Sequence, residues 1–191
     1  MNTAVSIILA SVVTIIMVVV AATTELLRES PSVQQSPPVT PPYSFSRFQL
    51  FLWTLVIVPL FALGWGHVGL GCATCKPATY MINTTALILL GISAGTAVSA
   101  GVVSSAQQNA TTPAPVKANS PSAGFWADIL ADNNGNFSMA RLQQLVFTIV
   151  FIGIFITEFF PTFQFPKFDS EVFVLMGIST GSYVLGKSLN V

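Results

Sequence analysis

Ser44-Phe-Ser-Arg47-Phe-Gln49, followed by Thr54, opens one apolar segment of this chain. Ser138-Met-Ala-Arg141-Leu-Gln143, followed by Thr148, opens another at the same spacing, 94 residues later. Each leads to a second apolar segment with a matching centre: Leu89-Leu-Gly91-Ile-Ser93-Ala-Gly95-Thr96 in the first copy and Leu175-Met-Gly177-Ile-Ser179-Thr-Gly181-Ser182 in the second. These centres are 86 residues apart, so the first copy has the longer loop. The repetition predicts a duplicated helical hairpin.

The composition indicates a membrane protein. Of 191 residues, 52% are hydrophobic and 7% are charged, whereas soluble domains carry about 25% charged residues. Seven basic and seven acidic side chains are too few to cover a water-exposed surface, so lipid must solvate much of it. The net charge of zero gives no electrostatic basis for binding nucleic acid. The expected partner is therefore the lipid bilayer, with no nucleic acid.

We expect an all-α integral membrane protein with about five transmembrane helices, an N-terminal helix followed by two parallel-repeat hairpins. The helices are predicted at about 4–22, 45–65, 84–103, 138–160 and 170–187. The chain then divides into the N-terminal helix (1–29), a Pro-rich linker (30–42), the first hairpin (43–104), a polar linker (105–122) and an interfacial segment with the second hairpin (123–191). Pro59 is predicted to kink the second helix, and Asn83 to cap the third.

The first apolar segment has two interpretations, a transmembrane helix or a cleaved signal peptide. No Lys or Arg precedes it, and it is long for the core of a signal peptide, which favours retention. Val20-Ala-Ala22 still resembles a cleavage site. Retained helices would place Lys76 and Lys167 on one side and the other basic residues, Arg28, Arg47, Lys117, Arg141 and Lys187, on the opposite side. The positive-inside rule makes that second side cytoplasmic, with the N-terminus outside.

The repeated Arg-x-Gln and Thr have two readings. Arg47, Gln49 and Thr54, with Arg141, Gln143 and Thr148 in the second copy, could form a polar ring at the cytoplasmic mouth of a pore. Alternatively, the arginines anchor the helices and the glutamines hydrogen-bond neighbouring helices, because an unpaired amide within a membrane is costly. The second interpretation is favoured, since packing accounts for every member of the motif.

The two GxxxG patterns predict close helix packing. Glycines four residues apart leave a groove that admits another backbone, and we expect Ser93 and Ser179 to bond across the contact. The partner is the same hairpin, the other copy or another subunit. Flexible hinges at Gly91, Gly95, Gly177 and Gly181 are the alternative.

Other candidate sites are weaker. Cys72 and Cys75 are expected to form a disulfide in the loop of the first copy, with free thiols or redox chemistry as alternatives. His67 adds only a third ligand, so no metal is predicted. Glu158 is read as interfacial because it lies close to Pro161. Without a catalytic triad, a phosphate-binding glycine loop or paired carboxylates in the apolar segments, we expect neither an enzyme nor a cofactor.

Residues 125–187 resemble a two-helix module of uncharacterised bacterial membrane proteins. The resemblance is carried by Phe125-Trp-Ala-Asp-Ile-Leu130, the S-x-x-R-x-Q and Thr motif, Pro166-Lys-Phe168, and the run from Leu175 to Lys187. Residues 43–101 resemble a degenerate second copy, with Ala97 and Gly101 in place of Tyr183 and Lys187. The resemblance implies a bacterial inner-membrane location and a duplicated hairpin, and it implies no activity.

The sequence therefore favours a structural or assembly protein, a membrane scaffold or anchor that forms homo-oligomers or joins a larger assembly. A small oligomeric channel with a polar Arg/Gln mouth is the alternative. A membrane redox protein that uses Cys72 and Cys75 is a third hypothesis.

Overall fold

A computed structural model describes residues 2–29, 40–69, 83–108, 121–132 and 135–175, and this part of the chain is helical. Its α-helices are α1 (Asn2–Thr23), α2 (Phe45–Gly69), α3 (Thr84–Gln108), α4 (Phe125–Leu130) and α5 (Met139–Thr162). A 3-10 turn covers Glu25–Leu27, and another helical segment is described over 170–175. The described residues contain no β-strand, only the isolated bridges Arg28–Tyr43 and Ala131–Phe137.

Three described helices are long and apolar enough to cross a membrane, as expected of an integral membrane protein. They are Ala4–Thr23, Phe45–Gly66 and Met139–Thr162, with 20, 22 and 24 residues, against about 20 needed to span the hydrocarbon core. The apolar part of α3, Thr84–Ala100, is shorter. The helical membrane class is thus confirmed, whereas the count of five spans and the duplication stay predictions.

Two helices extend further than the sequence predicts. Helix α2 continues from Trp65 to Gly69, since glycine is tolerated in membrane helices. Helix α3 continues from Val103 to Gln108 into the predicted linker, because no Gly or Pro interrupts 102–108. The segment that the sequence places at the membrane interface contains the short helix α4, with Asp128 and Ile129 buried.

Helix α1 packs against α2 in the antiparallel direction through small residues. Its buried residues are Ser6 and Ala10, and α2 presents the buried residues Ala62 and Gly66. A Cβ placed on Gly66 would lie 1.9 Å from the Cβ of Ser6, so only glycine permits this approach. Small residues four apart allow membrane helices to approach closely. The contact places the N-terminal segment against α2, and the choice between a retained helix and a cleaved signal peptide stays a prediction.

Two apolar clusters hold the remaining helices together. The larger joins α2, α3 and α5 and contains Trp53, Ile57, Leu60, Ala86, Leu89, Phe155, Phe159 and Phe165. The smaller lies where α2 and α5 begin and contains Phe45, Ala100, Ile129 and Leu145. There the Phe125 ring of α4 meets the rings of Tyr43 and Phe48 edge to face, each at 5.1 Å between centroids. Between these clusters lies a layer of polar side chains.

Candidate functional site

Buried polar side chains join α2 to α5. The Gln49 amide donates from Nε2 to Thr148 Oγ1 at 3.2 Å, and Gln144 Nε2 donates to Gln49 Oε1 at 2.7 Å. Thr148 Oγ1 in turn donates to the Gln144 carbonyl at 2.8 Å. All three residues are at most 2% exposed. We call Gln49, Gln144 and Thr148 the polar clasp.

The helical repeat of α2 and α5 puts the polar clasp inside the bundle. On α2, Ser46, Gln49 and Trp53 recur at three- and four-residue spacing, and all are buried. On α5, Gln144 and Thr148 are four residues apart on the same face. The Trp53 ring is fully buried one turn after Gln49, and its Nε1–H has no hydrogen-bond acceptor among the described residues.

In the second copy of the motif, the predicted glutamine, Gln143, does not belong to the polar clasp. Gln143 is exposed, and its neighbour Gln144 makes the bond to Gln49. Successive helix residues differ by about 100° in direction, so α5 turns a different face to the bundle than α2 does. The first copy has Leu50 where the second has Gln144, and this adjacent pair of glutamines was the available signal.

The two motif arginines also differ in surroundings. Arg47 is half-buried and donates from Nη1 to the Arg28 carbonyl at 2.7 Å. Arg28 lies over the Tyr43 ring, 4.1 Å from its centroid, and donates to the Tyr43 hydroxyl at 3.0 Å. Arg141 is instead only 4% exposed. The segment after α1 therefore supplies the Arg28 carbonyl as an acceptor for Arg47.

The two motif threonines diverge in the same way. Thr54 is half-buried and donates to the carbonyl of Leu50 in its own helix at 2.8 Å. Thr148 is 1% exposed and belongs to the polar clasp. The structure therefore brings Gln49 and Thr148 together, whereas Thr54 and Gln143 lie elsewhere.

Asp128 was not singled out by the sequence, yet it organises this end of the molecule. Its carboxylate is 3% exposed and accepts hydrogen bonds from the Tyr43 amide, the Ser122 hydroxyl and the Ala123 amide at 3.1, 2.6 and 3.1 Å. These bonds join α4 and the chain before it to the start of α2. The only sequence signal was an acid inside an otherwise apolar short helix.

The glycine face of α3 is open in the described part of the protein. Gly91 and Gly95 are exposed, and a Cβ placed on either would meet nothing within 4 Å. Leu87 and Val98, on the same side, are 58% and 66% exposed. Ser93 is fully buried and donates to the Leu89 carbonyl at 2.9 Å instead of bonding across this face. Residues two apart on a helix point in nearly opposite directions, so Ser93 lies away from the side that carries Gly91 and Gly95.

The opposite end of the bundle is held by the predicted cap of α3. Asn83 Oδ1 accepts from the Ala86 amide at 3.0 Å, which confirms this cap. Its Nδ2 donates to the carbonyls of Phe165 and Pro166 at 2.8 and 2.7 Å. The Thr85 hydroxyl accepts from the Phe168 amide at 3.1 Å. These bonds join α3 to the chain after α5.

Several predicted features cannot be placed. Cys72, Cys75, Gly177, Ser179 and Gly181 lie outside the described residues. Glu158 is exposed near the end of α5. Among the described residues, no group of three His, Cys, Asp or Glu side chains could hold a metal ion.

The chemistry of the polar clasp is that of hydrogen bonding. Its groups are neutral amides and a hydroxyl, and each of the three bonds joins one clasp member to another. Comparison with protein-family models, curated proteins and solved structures found no match to this chain.

Proposed function

We propose that the protein is a structural membrane protein, a helical scaffold or anchor that assembles with copies of itself or a larger partner through the glycine face of α3. The observation that supports this most is the polar clasp. Gln49 and Thr148 were candidates for a pore mouth, and they are used to join α2 to α5. The glycine face has the small residues that a partner helix needs.

The finer parts of the proposal come from the sequence. We place the protein in a bacterial inner membrane with the N-terminus outside, because the basic residues fall mainly on one side. Resemblance to the bacterial two-helix module supports a second hairpin beginning at α5. A matching glycine face at Gly177 and Gly181 would then give each chain two docking sites.

Gly95→Leu tests the scaffold. Its larger side chain would occupy the groove that a partner backbone needs, so we expect the oligomer measured by mass photometry in nanodiscs to dissociate. Gly153→Leu is the matched control, since Gly153 is an exposed helical glycine with nothing within 4 Å of an added Cβ and no GxxxG pattern. An oligomer that survives Gly95→Leu unchanged, or a wild-type monomer that captures no partner, would contradict the proposal.

The channel remains the alternative hypothesis. It has less support because Gln49 and Thr148 already bond to each other inside the bundle. Discrete openings of the purified protein in planar bilayers, altered by Gln49→Leu while the oligomer mass stays the same, would favour the channel over the scaffold.

A further inference from the structure

A groove between α1, α2 and α3 has the form of a lipid site. Its volume is about 560 Å³, and its apolar wall includes Ile16, Val20, Phe51 and Val98. Two polar residues, Arg47 and Thr54, also line it. We propose that this groove binds one anionic phospholipid, with an acyl chain along the apolar wall and the phosphate at Arg47.

The groove has the position that an acyl chain requires. Ile16 and Val20 on its walls are 56% and 41% exposed, so it opens on the surface that faces lipid. Arg47 and Thr54 are seven residues apart on α2, which corresponds to about 10 Å along the helix. Ile16 in α1 and Leu26 in the 3-10 turn after it, which form the same wall, are ten positions apart. One leaflet is about 15 Å of hydrocarbon, so the groove follows most of one leaflet.

A helix is a poorer fit to the same groove. A phospholipid matches both parts of the lining, with its acyl chain at the apolar wall and its phosphate at the Arg47 guanidinium, whereas an apolar helix matches only the wall. An acyl chain is thinner and is supplied by the surrounding bilayer. The occupant is therefore a lipid instead of a second protein helix.

The charge of the groove favours an anionic headgroup. Arg47 is in the first turn of α2, at one end of the groove. Its bond to the Arg28 carbonyl holds the guanidinium there. Arg47 is the one charged side chain among the described lining residues. Guanidinium groups suit phosphate oxygens in both charge and geometry.

Electron spin resonance with spin-labelled lipids tests this site on the full chain. The protein is reconstituted in phosphatidylcholine vesicles containing a trace of spin-labelled phosphatidylglycerol or spin-labelled phosphatidylcholine, and the motionally restricted fraction is measured. One basic residue near a membrane surface adds about 1 kcal/mol, so we expect about a fivefold preference for phosphatidylglycerol. Equal restriction of the two lipids would overturn the proposal.

Two variants separate the groove from general charge attraction. Ala97→Phe fills the groove and keeps Arg47, whereas Arg47→Gln removes the charge and keeps the space. Both should abolish the preference, and Arg47→Lys should retain most of it, which guards against simple misfolding. A preference that survives Ala97→Phe would show attraction without a groove and would contradict the site.

Matched controls are available on the same chain. Gly153→Phe adds the same bulk to an exposed helix surface, and Lys167→Gln removes an exposed charge at the other end of the bundle. Both should keep the preference. Gly95→Leu should also keep it, so failure of the lipid site and failure of the scaffold are distinguishable.

Discussion

The two copies of the S-x-x-R-x-Q and Thr motif begin α2 and α5, but they have different surroundings. In the first copy Gln49 is buried, whereas Arg47 and Thr54 line the lipid-facing groove. In the second copy Arg141 and Thr148 are buried, and Gln143 is exposed. Residues at equivalent positions of the motif thus lie on the buried side of one helix and on a more exposed side of the other. A repeated motif predicts where helices begin better than it predicts which side chains meet.

The difference has a physical origin in what packs on each copy. Helix α1 and the turn that follows it cover one side of α2, the helix through Ser6 at Gly66 and the turn through the Arg28 carbonyl at Arg47. Position 66 of the first copy corresponds to Phe160 in the second, which is 50% exposed. A helix cannot approach the backbone of α5 there as α1 approaches α2. Because Gly66 allows α1 to pack on α2, the two copies of the motif have different surroundings.

Among the changes that test the difference between the two copies, the largest expected effect comes from giving the first copy a side chain at position 66. Gly66→Leu places a Cβ where Ser6 lies, and helix backbones cannot relieve this overlap without separating. We expect a loss of about 3 kcal/mol, the upper part of the range for overpacking. The measurement is the free energy of unfolding in mixed micelles by SDS titration. Gly153→Leu should change it little, and equal stability of the two variants would mean that α1 does not pack at Gly66.

Removing the carboxylate of Asp128 should have the next largest effect. Asp128→Ala removes the acceptor for Tyr43, Ser122 and Ala123, and hydrogen bonds to charged groups contribute about 1.5–3 kcal/mol. We expect the apparent free energy of unfolding to fall by about 2 kcal/mol, together with faster proteolysis near residues 121–124. Glu171→Gln, at an exposed acid, is the control. A loss no greater than the control's would show that the carboxylate is dispensable.

Gln49→Leu breaks the polar clasp, and comparison with Gln143→Leu tests the inequality of the copies directly. Hydrogen bonds between membrane helices contribute about 0.6 kcal/mol on average and at most about 1.7, so we expect a loss of about 1 kcal/mol for Gln49→Leu. Gln143→Leu, at an exposed position, should lie within about 0.5 kcal/mol of wild type. Equal losses of unfolding free energy for the two variants would mean that Gln49 and Gln143 have equivalent roles, as the repeated motif predicts.

A double-mutant cycle locates the partner of Gln49. Gln144→Leu should cost no more than Gln49→Leu, because the Gln144 side chain makes one bond of the polar clasp and the Gln49 side chain makes two. The double variant should cost less than the sum of the two single variants, because the two side chains share a hydrogen bond. Gln49 combined with Gln143 should be additive.

The sequence predicted the helices more successfully than their contacts. The length of an apolar segment is almost sufficient to predict a membrane helix. The predicted ends of α1, α2, α3 and α5 therefore lie within a few residues of the observed ends. The contacts depend on helix rotation, which a one-residue shift changes by about 100°. The sequence therefore predicted an interhelical bond for Gln143, whereas Gln144 makes it. The small residues at Ser6, Ala10, Ala62 and Gly66 were visible, but Ser and Ala in place of Gly weakened their signal against the two repeated GxxxG patterns.

The smallest expected effect makes the first copy more like the second at position 53, which corresponds to Phe147. Trp53→Phe removes an indole Nε1–H that has no acceptor among the described residues, and a buried unsatisfied donor costs about 1–3 kcal/mol. It also removes apolar contacts, because the fully buried ring packs 6.1 Å from Phe155 between centroids. The two terms oppose each other, so we expect a change in unfolding free energy below about 1 kcal/mol, whereas Trp53→Ala should cost about 3–5 kcal/mol. A loss for Trp53→Phe close to that for Trp53→Ala would contradict this expectation. It would mean that the indole Nε1–H makes a hydrogen bond that is absent from the described contacts, so the two copies would differ in this bond as well as in the helices that pack on them.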